Sequence, residues 1–309
     1  MTNRDQYIQL CLQHSMPFHA QAWWLTQTTV GKEWDVCLLK DAEGRIEAAM
    51  PYLVIKRWGK RAILMPVHSQ YQYVYVSPTA SADVYERLVQ AWEELCHTQS
   101  IGWVQLQGFY PKPMLDALHK QGYTIQERVT YRIDKLLAKE HIADLFSENK
   151  RRQLRKAKDL QLRDLSVDEF YAFQQTCWAM QGKCIDYPLT WAKAVLTEAL
   201  QRRQGRLLAA QDPSGDLTAS LFLAWDDTYA YYLLPAYRPD ARQSGVAWLT
   251  EQALQLAQEK GLAFDFEGSM TPSIASSYRQ FGGKPVTYHR IEKFYNPLMR
   301  IAIWLRQRL

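Results

Sequence analysis

The sequence predicts an α+β protein with two similar halves, each a mixed central sheet flanked by helices. Short apolar or alternating segments, which are typical of strands, are interleaved with longer segments of helical period throughout the chain. The order of these segments over residues 1–134 returns over residues 135–295. A chain of 309 residues is also long for a single core and favours two domains.

The first half opens with a helical stretch, Met1 to Leu25, which is expected to break at Pro17 because proline interrupts helical hydrogen bonding. A β-hairpin follows, since strand-like segments at Trp34 to Leu39 and Arg45 to Ile55 flank the turn residues Asp41 to Gly44. The remaining segments are, in order, strands at 61–65 and 71–76, a helix at 82–99, a strand at 102–108, a helix at 112–121 and a strand at 123–134.

The second half is organised around residues 228–293. An aromatic-rich strand, Tyr229 to Tyr237, leads through a loop to a helix at Trp248 to Lys260 whose apolar residues share one face. Gly261 follows where a left-handed helix end is expected. The remaining segments are a strand at 263–268, a short helix at 274–281 and a closing strand at 286–294.

Matched glycines after strands and helices indicate that the two halves arose by duplication. The matching segments are 44–49 with 215–220, 102–108 with 262–268, and 120–122 with 280–282. Their spacing changes along the chain, which indicates altered loops and not an array of short repeats. The predicted domains are therefore residues 1–134 and 135–295, followed by a basic amphipathic tail at 296–309.

The net charge of +5 is concentrated in one segment. Six positive charges lie within residues 150–158: Lys150, Arg151, Arg152, Arg155, Lys156 and Lys158. The five cysteines are scattered without metal-binding spacing, and the histidines form no catalytic or metal motif, so no metal site is predicted. No apolar run approaches the ~20 residues that span a bilayer, which favours a cytoplasmic protein.

The loop between the aromatic strand and the next helix predicts an anion site. It consists of Arg242, Gln243, Ser244, Gly245, Val246 and Ala247. Unpaired amides and the helix dipole favour negative charge at a helix N-terminus, and a glycine lets the backbone approach an oxygen closely. The corresponding stretch of the first half, residues 76–84, contains no glycine. Cofactor binding is therefore expected in the second half only.

This loop resembles the acyl-CoA pyrophosphate loop of the GNAT N-acyltransferase superfamily, with Arg242, Gly245 and Ala247 at its fixed positions. Tyr278 and Gly282 are similar to a helix end that follows downstream in the same superfamily. The resemblance implies two tandem GNAT-like domains, of which the second uses acyl-CoA as its co-substrate.

Three further segments resemble the Fem-type aminoacyltransferases of peptidoglycan cross-bridge synthesis and the wider group of Fem-like GNAT proteins. They are residues 17–24, 149–157 and 264–270, and the resemblance covers almost the whole chain. The long coiled-coil arm that some Fem enzymes insert for tRNA is absent here. This absence favours an acyl-thioester donor over a tRNA-borne donor.

Two residues are candidates for the chemistry of N-acyl transfer, which needs a neutral amine and a protonated leaving group. Glu267 is the candidate base at the end of its strand, and the resemblance implies Tyr278 as the acid for a departing thiolate. Backbone amides near Leu233 and Leu234 are expected to hold the developing oxyanion. Alternatively, Glu267 caps a turn or pairs with an arginine, and Tyr278 is an ordinary half-buried tyrosine.

The basic helix that begins near Ser147 is the candidate acceptor site, although a solvated face is the simpler interpretation. The resemblance makes Asn149 and Arg152 positions to test, with Arg155 on the same helix. They would contact a phosphate-bearing acceptor such as a nucleotide-linked sugar or an anionic lipid headgroup. The tail at 296–309 either packs on the body or lies on an anionic membrane surface, which would place the protein peripherally at the inner membrane face.

Three functions follow from these patterns. The leading hypothesis is an N-acyltransferase that moves an acyl group from a CoA-type thioester to an amine of a cell-envelope precursor, saccharide or lipid. The second is a Fem-type aminoacyltransferase that uses aminoacyl-tRNA. The third is a non-catalytic GNAT scaffold that binds an anionic ligand or a membrane. Convergence of Arg242, Gly245, Glu267 and Tyr278 on one site would disfavour the scaffold.

Overall fold

Two compact units make up the protein: Met1–Arg128 with Thr287–Leu309, and Val129–Val286. The structure, a computed structural model, describes residues 1–29, 32–134, 136, 140–157, 159–241, 244–268 and 270–306. The elements of the first half are α1 (Asn3–Gln13), α2 (Ala22–Thr28), β1 (Glu33–Lys40), β2 (Ile46–Arg57), β3 (Lys60–Leu64), β4 (Tyr75–Val76), α3 (Val84–Thr98), β5 (Ile101–Gly108), α4 (Lys112–Lys120) and β6 (Thr124–Ile133). Those of the second half are α5 (Glu148–Arg155), β7 (Gln161–Asp164), α6 (Val167–Met180), α7 (Leu189–Gln201), β8 (Gly205–Gln211), β9 (Leu217–Trp225), β10 (Tyr229–Tyr237), α8 (Gly245–Glu259), β11 (Ala263–Asp265), α9 (Pro272–Gln280), β12 (Lys284–Phe294) and α10 (Pro297–Arg306).

The sheet of the first unit has the strand order β1-β2-β3-β5-β12, and the short β4 pairs with β2. Strands β3 and β5 run parallel, whereas the other neighbours along this order are antiparallel. Helices α3 and α4 cover a core that includes the fully buried Met50, Leu88 and Trp92. The first unit is therefore a mixed sheet flanked by helices, as the sequence predicts.

The sheet of the second unit has the strand order β6-β11-β10-β9-β8-β7. Strands β10 and β11 run parallel, and the other neighbours are antiparallel. Helix α8 contributes Ala247, Ala253 and Leu254 to a core that also contains Phe264 and Phe266. Small residues on α8 let the helix lie close to the sheet, which fixes the position of the helix N-terminus.

Each half of the sequence contributes its last strand to the unit formed mainly by the other half. The end of β6 pairs with β11 in the second unit, and β12 pairs with β5 in the first. The boundaries of the compact units therefore differ from those of the predicted domains, 1–134 and 135–295, which were placed according to the predicted duplication. Helix α10 is also part of the first unit, where its Met299 is buried.

The strand predicted at 263–268 is shorter than expected, because β11 ends at Asp265. Glu267 and Gly268 both have positive φ values, +62° and +71°, which no regular strand accommodates. The chain therefore turns sharply just after β11, at the position of the candidate base.

Candidate active site

Helix α8 begins at Gly245, where the sequence predicts an anion site. Its N-cap residue, Ser244, makes no side-chain capping hydrogen bond, so the cap does not occupy the first-turn amides. Val246 and Ala247 complete the first turn, whereas the predicted contacts of Arg242 and Gln243 lie outside the described residues. The described part of the loop fits a helix N-terminus able to receive an anion.

The glycine at position 245 has a different role from the expected one. A Cβ atom at Gly245 would lie 2.3 Å from Thr218 Oγ1 and 3.2 Å from the Cβ of Ala219, both on β9. The space beside the glycine is therefore filled by the protein, and not left for a ligand oxygen. Gly245 sets how closely α8 approaches the sheet.

Strand β10 carries a bulge at the point where backbone amides are expected to hold an oxyanion. Leu233 pairs with Phe222 and Ala236 pairs with Ser220, so two β10 residues face one β9 residue. Leu234 lies inside the bulge with φ +50°, and its carbonyl oxygen accepts a hydrogen bond from Gln174 Nε2 at 2.7 Å. The bulge is thus held in place by a buried side chain of α6.

Strands β10 and β11 pair along only part of their length. Their register runs from Tyr229 with Ala263 to Tyr231 with Asp265. Beyond Tyr231, β10 continues towards the bulge, whereas the chain turns away after Asp265. The sheet therefore opens between these strands on the side where Leu233 and Glu267 lie.

Asp265 anchors the turn after β11. Its carboxylate is fully buried, accepts from Thr130 Oγ1 at 2.6 Å, and pairs with Arg132 Nε at 2.7 Å. The backbone amide of Glu267 also donates to Asp265 Oδ1, at 2.8 Å. A buried carboxylate with these charge-assisted partners is fixed in orientation, so Asp265 fixes the backbone that carries Glu267.

Glu267 is half-buried, and burial together with the neighbouring Asp265 carboxylate raises the pKa of its carboxyl well above the usual glutamate value. The Arg132 guanidinium lowers the pKa of Glu267, but by less than burial and the Asp265 carboxylate raise it. Burial therefore favours the protonated form of the Glu267 carboxyl, and its carboxylate, once formed, is a stronger base than that of an ordinary glutamate. The same Arg132 guanidinium pairs with Asp265, at 2.7 Å.

Tyr278, on α9, stacks on Phe266 with ring centroids 4.5 Å apart, and Phe266 directly precedes Glu267. Burial raises the pKa of Tyr278 far above the usual tyrosine value, and the charge of Glu267 acts in the same direction. The phenol is therefore protonated at neutral pH and available as a proton donor. Tyr278 therefore packs against the segment that carries Glu267, close to the point where β10 and β11 separate.

Tyr232 connects this pair of residues to α8. Its ring lies 6.2 Å from that of Tyr278 in an edge arrangement, and its hydroxyl lies 3.1 Å from Thr250 Oγ1. Thr250 donates in turn to the carbonyl of Val246, in the first turn of α8, at 2.7 Å. Phe266, Tyr278, Tyr232 and the first turn of α8 therefore belong to one packed cluster.

Lys150 makes a second connection, which the sequence analysis did not identify. Although it belongs to the basic run, only 5% of its surface is exposed. Its Nζ donates to Gln153 Oε1 at 3.1 Å and to Ser277 Oγ at 3.4 Å, and Gln153 Nε2 donates to Ser244 Oγ at 2.6 Å. This chain of contacts joins the residue before Tyr278 to the N-cap of α8.

Comparison with known proteins identifies the fold. An acetyltransferase (GNAT) domain matches residues 146–272. The crystal structure of FemX superposes with a TM-score of 0.70 at 11% identity, over 97% of this chain and 98% of that chain. The chain has the Fem-like tandem GNAT fold.

Two other solved structures have a similar fold. L-PGS from Bacillus licheniformis has a TM-score of 0.59 at 11% identity, covering 98% of this chain and 96% of that chain. A tandem GNAT protein from the clavulanic acid biosynthesis pathway has a TM-score of 0.58 at 10% identity, over 94% and 93% of the two chains. No curated protein sequence matches the chain. At these identities the structural likenesses concern the fold.

The basic helix of the second GNAT half, α5, is only partly available to a substrate. Arg155 and Arg151 both pair with Glu148, at 2.9 and 3.2 Å. Asn149 donates to Gln280 Oε1 at 3.2 Å and accepts from Arg152 Nη2 at 3.4 Å. Arg152 is exposed and pairs with no carboxylate within the described chain.

The sequence carried a signal for the role of Lys150. It lies one helical turn before Leu154, which is buried, so both residues lie on the same face of α5.

Neither a metal-binding group of three His, Cys, Asp or Glu residues nor a helix able to cross a bilayer is present among the residues that the structure describes.

Proposed function

We propose that the protein is an N-acyltransferase that moves an acyl group from a CoA-type thioester to an amine of a cell-envelope precursor, saccharide or lipid. The observation that carries this proposal is the packing of Tyr278 on Phe266, the residue before Glu267, and on Tyr232, which contacts α8, beside the open end of the second sheet. A non-catalytic scaffold has no need to bring a carboxyl of raised pKa next to a protonated phenol.

The donor pyrophosphate is proposed to bind at the first turn of α8, against the amides from Gly245 to Ala247. The helix dipole favours negative charge there, and the Ser244 side chain does not cap the helix. Arg242 and Gln243 would complete the loop. The acyl thioester would then extend along β10 to the bulge, where the amides of Leu233 and Leu234 are candidates for stabilising the oxyanion.

The proposed reaction forms a C–N bond and breaks a C–S bond. The amine nitrogen attacks the thioester carbonyl while Glu267 accepts the proton that the amine loses, directly or through a water. Tyr278 donates its proton to the departing thiolate and is reprotonated from solvent. Asp265 takes no part in proton transfer, since its carboxylate is held by Arg132 and Thr130.

The acceptor is proposed to carry a phosphate, with Arg152 as its principal contact. Asn149 holds Arg152, whereas Arg155 is held by Glu148 and would have to leave that pair to bind substrate. A guanidinium that is exposed and has no carboxylate partner suits a phosphate through two parallel hydrogen bonds.

An aminoacyl-tRNA donor remains the second proposal, because the fold is shared with FemX and L-PGS. The exposed Arg152 and Lys156 would then contact RNA phosphates. RNA binding of this kind would weaken steeply as salt rises, since each neutralised phosphate releases counterions.

Calorimetric titration of the full chain with acetyl-CoA and with CoA tests the donor. The informative variant is Ser244→Asp: aspartate is a good N-cap, so α8 should fold at least as well, but its carboxylate would occupy the amides and repel the pyrophosphate. Ser166→Asp makes the same change at the N-cap of α6 and is the matched control. Binding by the wild type and Ser166→Asp, with loss in Ser244→Asp, supports the proposal. No binding by the wild type would overturn a CoA donor and direct the same titration to aminoacyl-tRNA.

A further inference from the structure

The hairpin between β2 and β3, in the first unit, ends in an unusual turn. Arg57 pairs with Lys60, so the loop contains only Trp58 and Gly59, with φ values of +49° and +72°. Two residues with positive φ form the tight hairpin turn in which asparagine, aspartate or glycine is favoured first. A tryptophan is sterically disfavoured in this backbone conformation. Burial does not explain its presence either, since 50% of its surface is exposed. Folding alone does not explain this residue.

The tryptophan is surrounded by positive charge. Lys56, Arg57, Lys60 and Arg61 flank the turn, all four are exposed, and no acidic residue interrupts them. Arg61 donates to the side-chain oxygen of Gln99 at 2.7 Å. Within the part of the chain that the structure describes, none of the four pairs with a carboxylate. The turn therefore presents an uncompensated basic surface around an aromatic ring.

Helix α10 lies beside this hairpin in the same unit. Its Met299 is buried with Ala62 and Trp103, and Ile55 and Ile303 pack against the same cluster. Gly102 lies at the contact, since a Cβ atom there would be 2.6 Å from Met299 Sδ and 3.6 Å from the carbonyl oxygen of Arg61. The start of α10 therefore adjoins the start of β3, a few residues from Trp58.

The face of α10 opposite Met299 is apolar and exposed. Leu298 and Ile301, one turn apart, are 71% and 55% exposed, and Arg300 is exposed between them. Helix α10 contains no acidic residue. The exposed part of the helix thus continues the pattern of the hairpin, in which large apolar side chains are set among cations.

We propose that Trp58, its four basic neighbours and the Leu298–Ile301 face of α10 form a docking surface for an anionic lipid bilayer. Tryptophan favours the membrane interface, aliphatic side chains of a short helix insert beneath the headgroups, and lysine or arginine near the surface is attracted to anionic lipid. RNA would also attract the cations and could stack on Trp58. It would gain nothing from Leu298 and Ile301, so the aliphatic residues favour a bilayer.

Vesicle sedimentation of the full chain tests this surface. Vesicles of phosphatidylcholine with about 30% phosphatidylglycerol should bind the protein at least about 10-fold more tightly than pure phosphatidylcholine vesicles. Trp58→Asn should lower this affinity about 10-fold or more while the melting temperature is unchanged or higher, because Asn-Gly is the preferred turn sequence. Leu298→Gln with Ile301→Gln should also weaken binding, and it removes no charge.

The charge is tested with two double variants that change the net charge equally. Lys56→Glu with Lys60→Glu should abolish binding to the anionic vesicles. Lys112→Glu with Lys120→Glu alters α4 of the same unit, where both lysines pair with surface carboxylates, and should leave binding unchanged. Equal losses in the two double variants, or wild-type protein that ignores anionic vesicles, would overturn the proposal. So would a Trp58→Asn protein that keeps vesicle binding but loses binding to single-stranded RNA.

Discussion

The backbone amide of Glu267 donates a hydrogen bond to the carboxylate of Asp265 at 2.8 Å, and this bond fixes a turn in which Glu267 has φ +62°. A glutamate rarely adopts this conformation, so the surrounding structure must hold it there. Asp265 does so because it is itself held by Arg132 and Thr130. The position of the candidate base therefore depends on a neighbouring carboxylate that takes no part in the chemistry.

Replacing Asp265 with asparagine should destabilise the second unit by about 3 kcal/mol, because Arg132 would lose its buried partner. The asparagine amide group also cannot accept all the hydrogen bonds that the carboxylate accepts. Urea unfolding of the wild type and the variant measures the loss. Asp164→Asn removes a surface pair with Arg206 and should cost less than about 1 kcal/mol. Equal costs at the two positions would contradict the role assigned to Asp265.

Glu267→Gln should stabilise the protein increasingly as the pH rises. The folded-state pKa of Glu267 is raised, so the stability it contributes is present below the unfolded value of about 4.3 and is lost as the pH rises through the folded value. Glutamine mimics the protonated form and does not titrate. Melting temperatures measured across this range should therefore diverge towards alkaline pH. Melting temperatures of the two proteins that differ by the same amount at every pH would contradict the raised pKa of Glu267.

The close approach of α8 to β9 predicts a compensating pair of substitutions. Gly245→Ala should cost about 1–3 kcal/mol and weaken donor binding, because the new methyl group would meet Thr218 Oγ1. Thr218→Ala removes that oxygen and should restore part of both properties in the double variant. Chemical unfolding measures the stability, and CoA titration the donor affinity, of the wild type, the two single variants and the double variant. A double variant no better than Gly245→Ala would mean that the contact with Thr218 is not the cause.

Tyr278→Phe should lower turnover at least about 10-fold with little change in donor affinity, because phenylalanine keeps the stacking on Phe266 but cannot donate a proton. Tyr232→Phe is the matched control, since it removes a neighbouring hydroxyl that contacts Thr250. Thiol release during acyl transfer, followed with each variant, compares them. Similar losses in both variants would indicate that Tyr278 acts through packing.

Lys150→Met should weaken donor binding about 5-fold, since it removes the hydrogen bonds from Lys150 to Ser277 and to Gln153, which in turn bonds to Ser244. Methionine keeps an apolar side chain of similar length but removes the ammonium group, which lies 4.4 Å from the centroid of the Phe281 ring. Arg151→Met changes the same helix at a residue that pairs with Glu148 and should leave donor affinity within about 2-fold. Titration with CoA distinguishes the two. An unchanged affinity in Lys150→Met would remove Lys150 from the site.

The fold class and most elements of the first half follow from the sequence, because alternation and helical period were strong there. The predicted hairpin corresponds to β1 and β2, and the helix at 82–99 corresponds to α3. The strand expected at 71–76 is reduced to β4, at its last two residues. Apolar character alone does not distinguish a short strand from a buried loop.

The roles of Glu267 and Tyr278 in the site stay predictions. Tyr278 packs on Phe266, beside the turn that carries Glu267, and this turn could not be predicted from an alternating segment. Lys150 was missed because a lysine in a basic run is usually exposed, and its burial depends on contacts with residues over 100 positions away. The sequence suggested that Gly245 leaves room for a ligand oxygen. In the structure the space beside it is filled by Thr218 and Ala219 of β9, which are distant in the sequence.

The placement of β6 and β12 has a consequence for dividing the molecule. A fragment cut after residue 134 would leave the β5 edge without β12, and an uncovered strand edge is a template for aggregation. Joining residues 287–309 to residues 1–128 through a short linker would restore that strand in a single polypeptide. Fragments with the boundaries 1–128 joined to 287–309, and 129–286, would keep β12 beside β5 and the end of β6 beside β11, whereas a cut after residue 134 would separate both pairs.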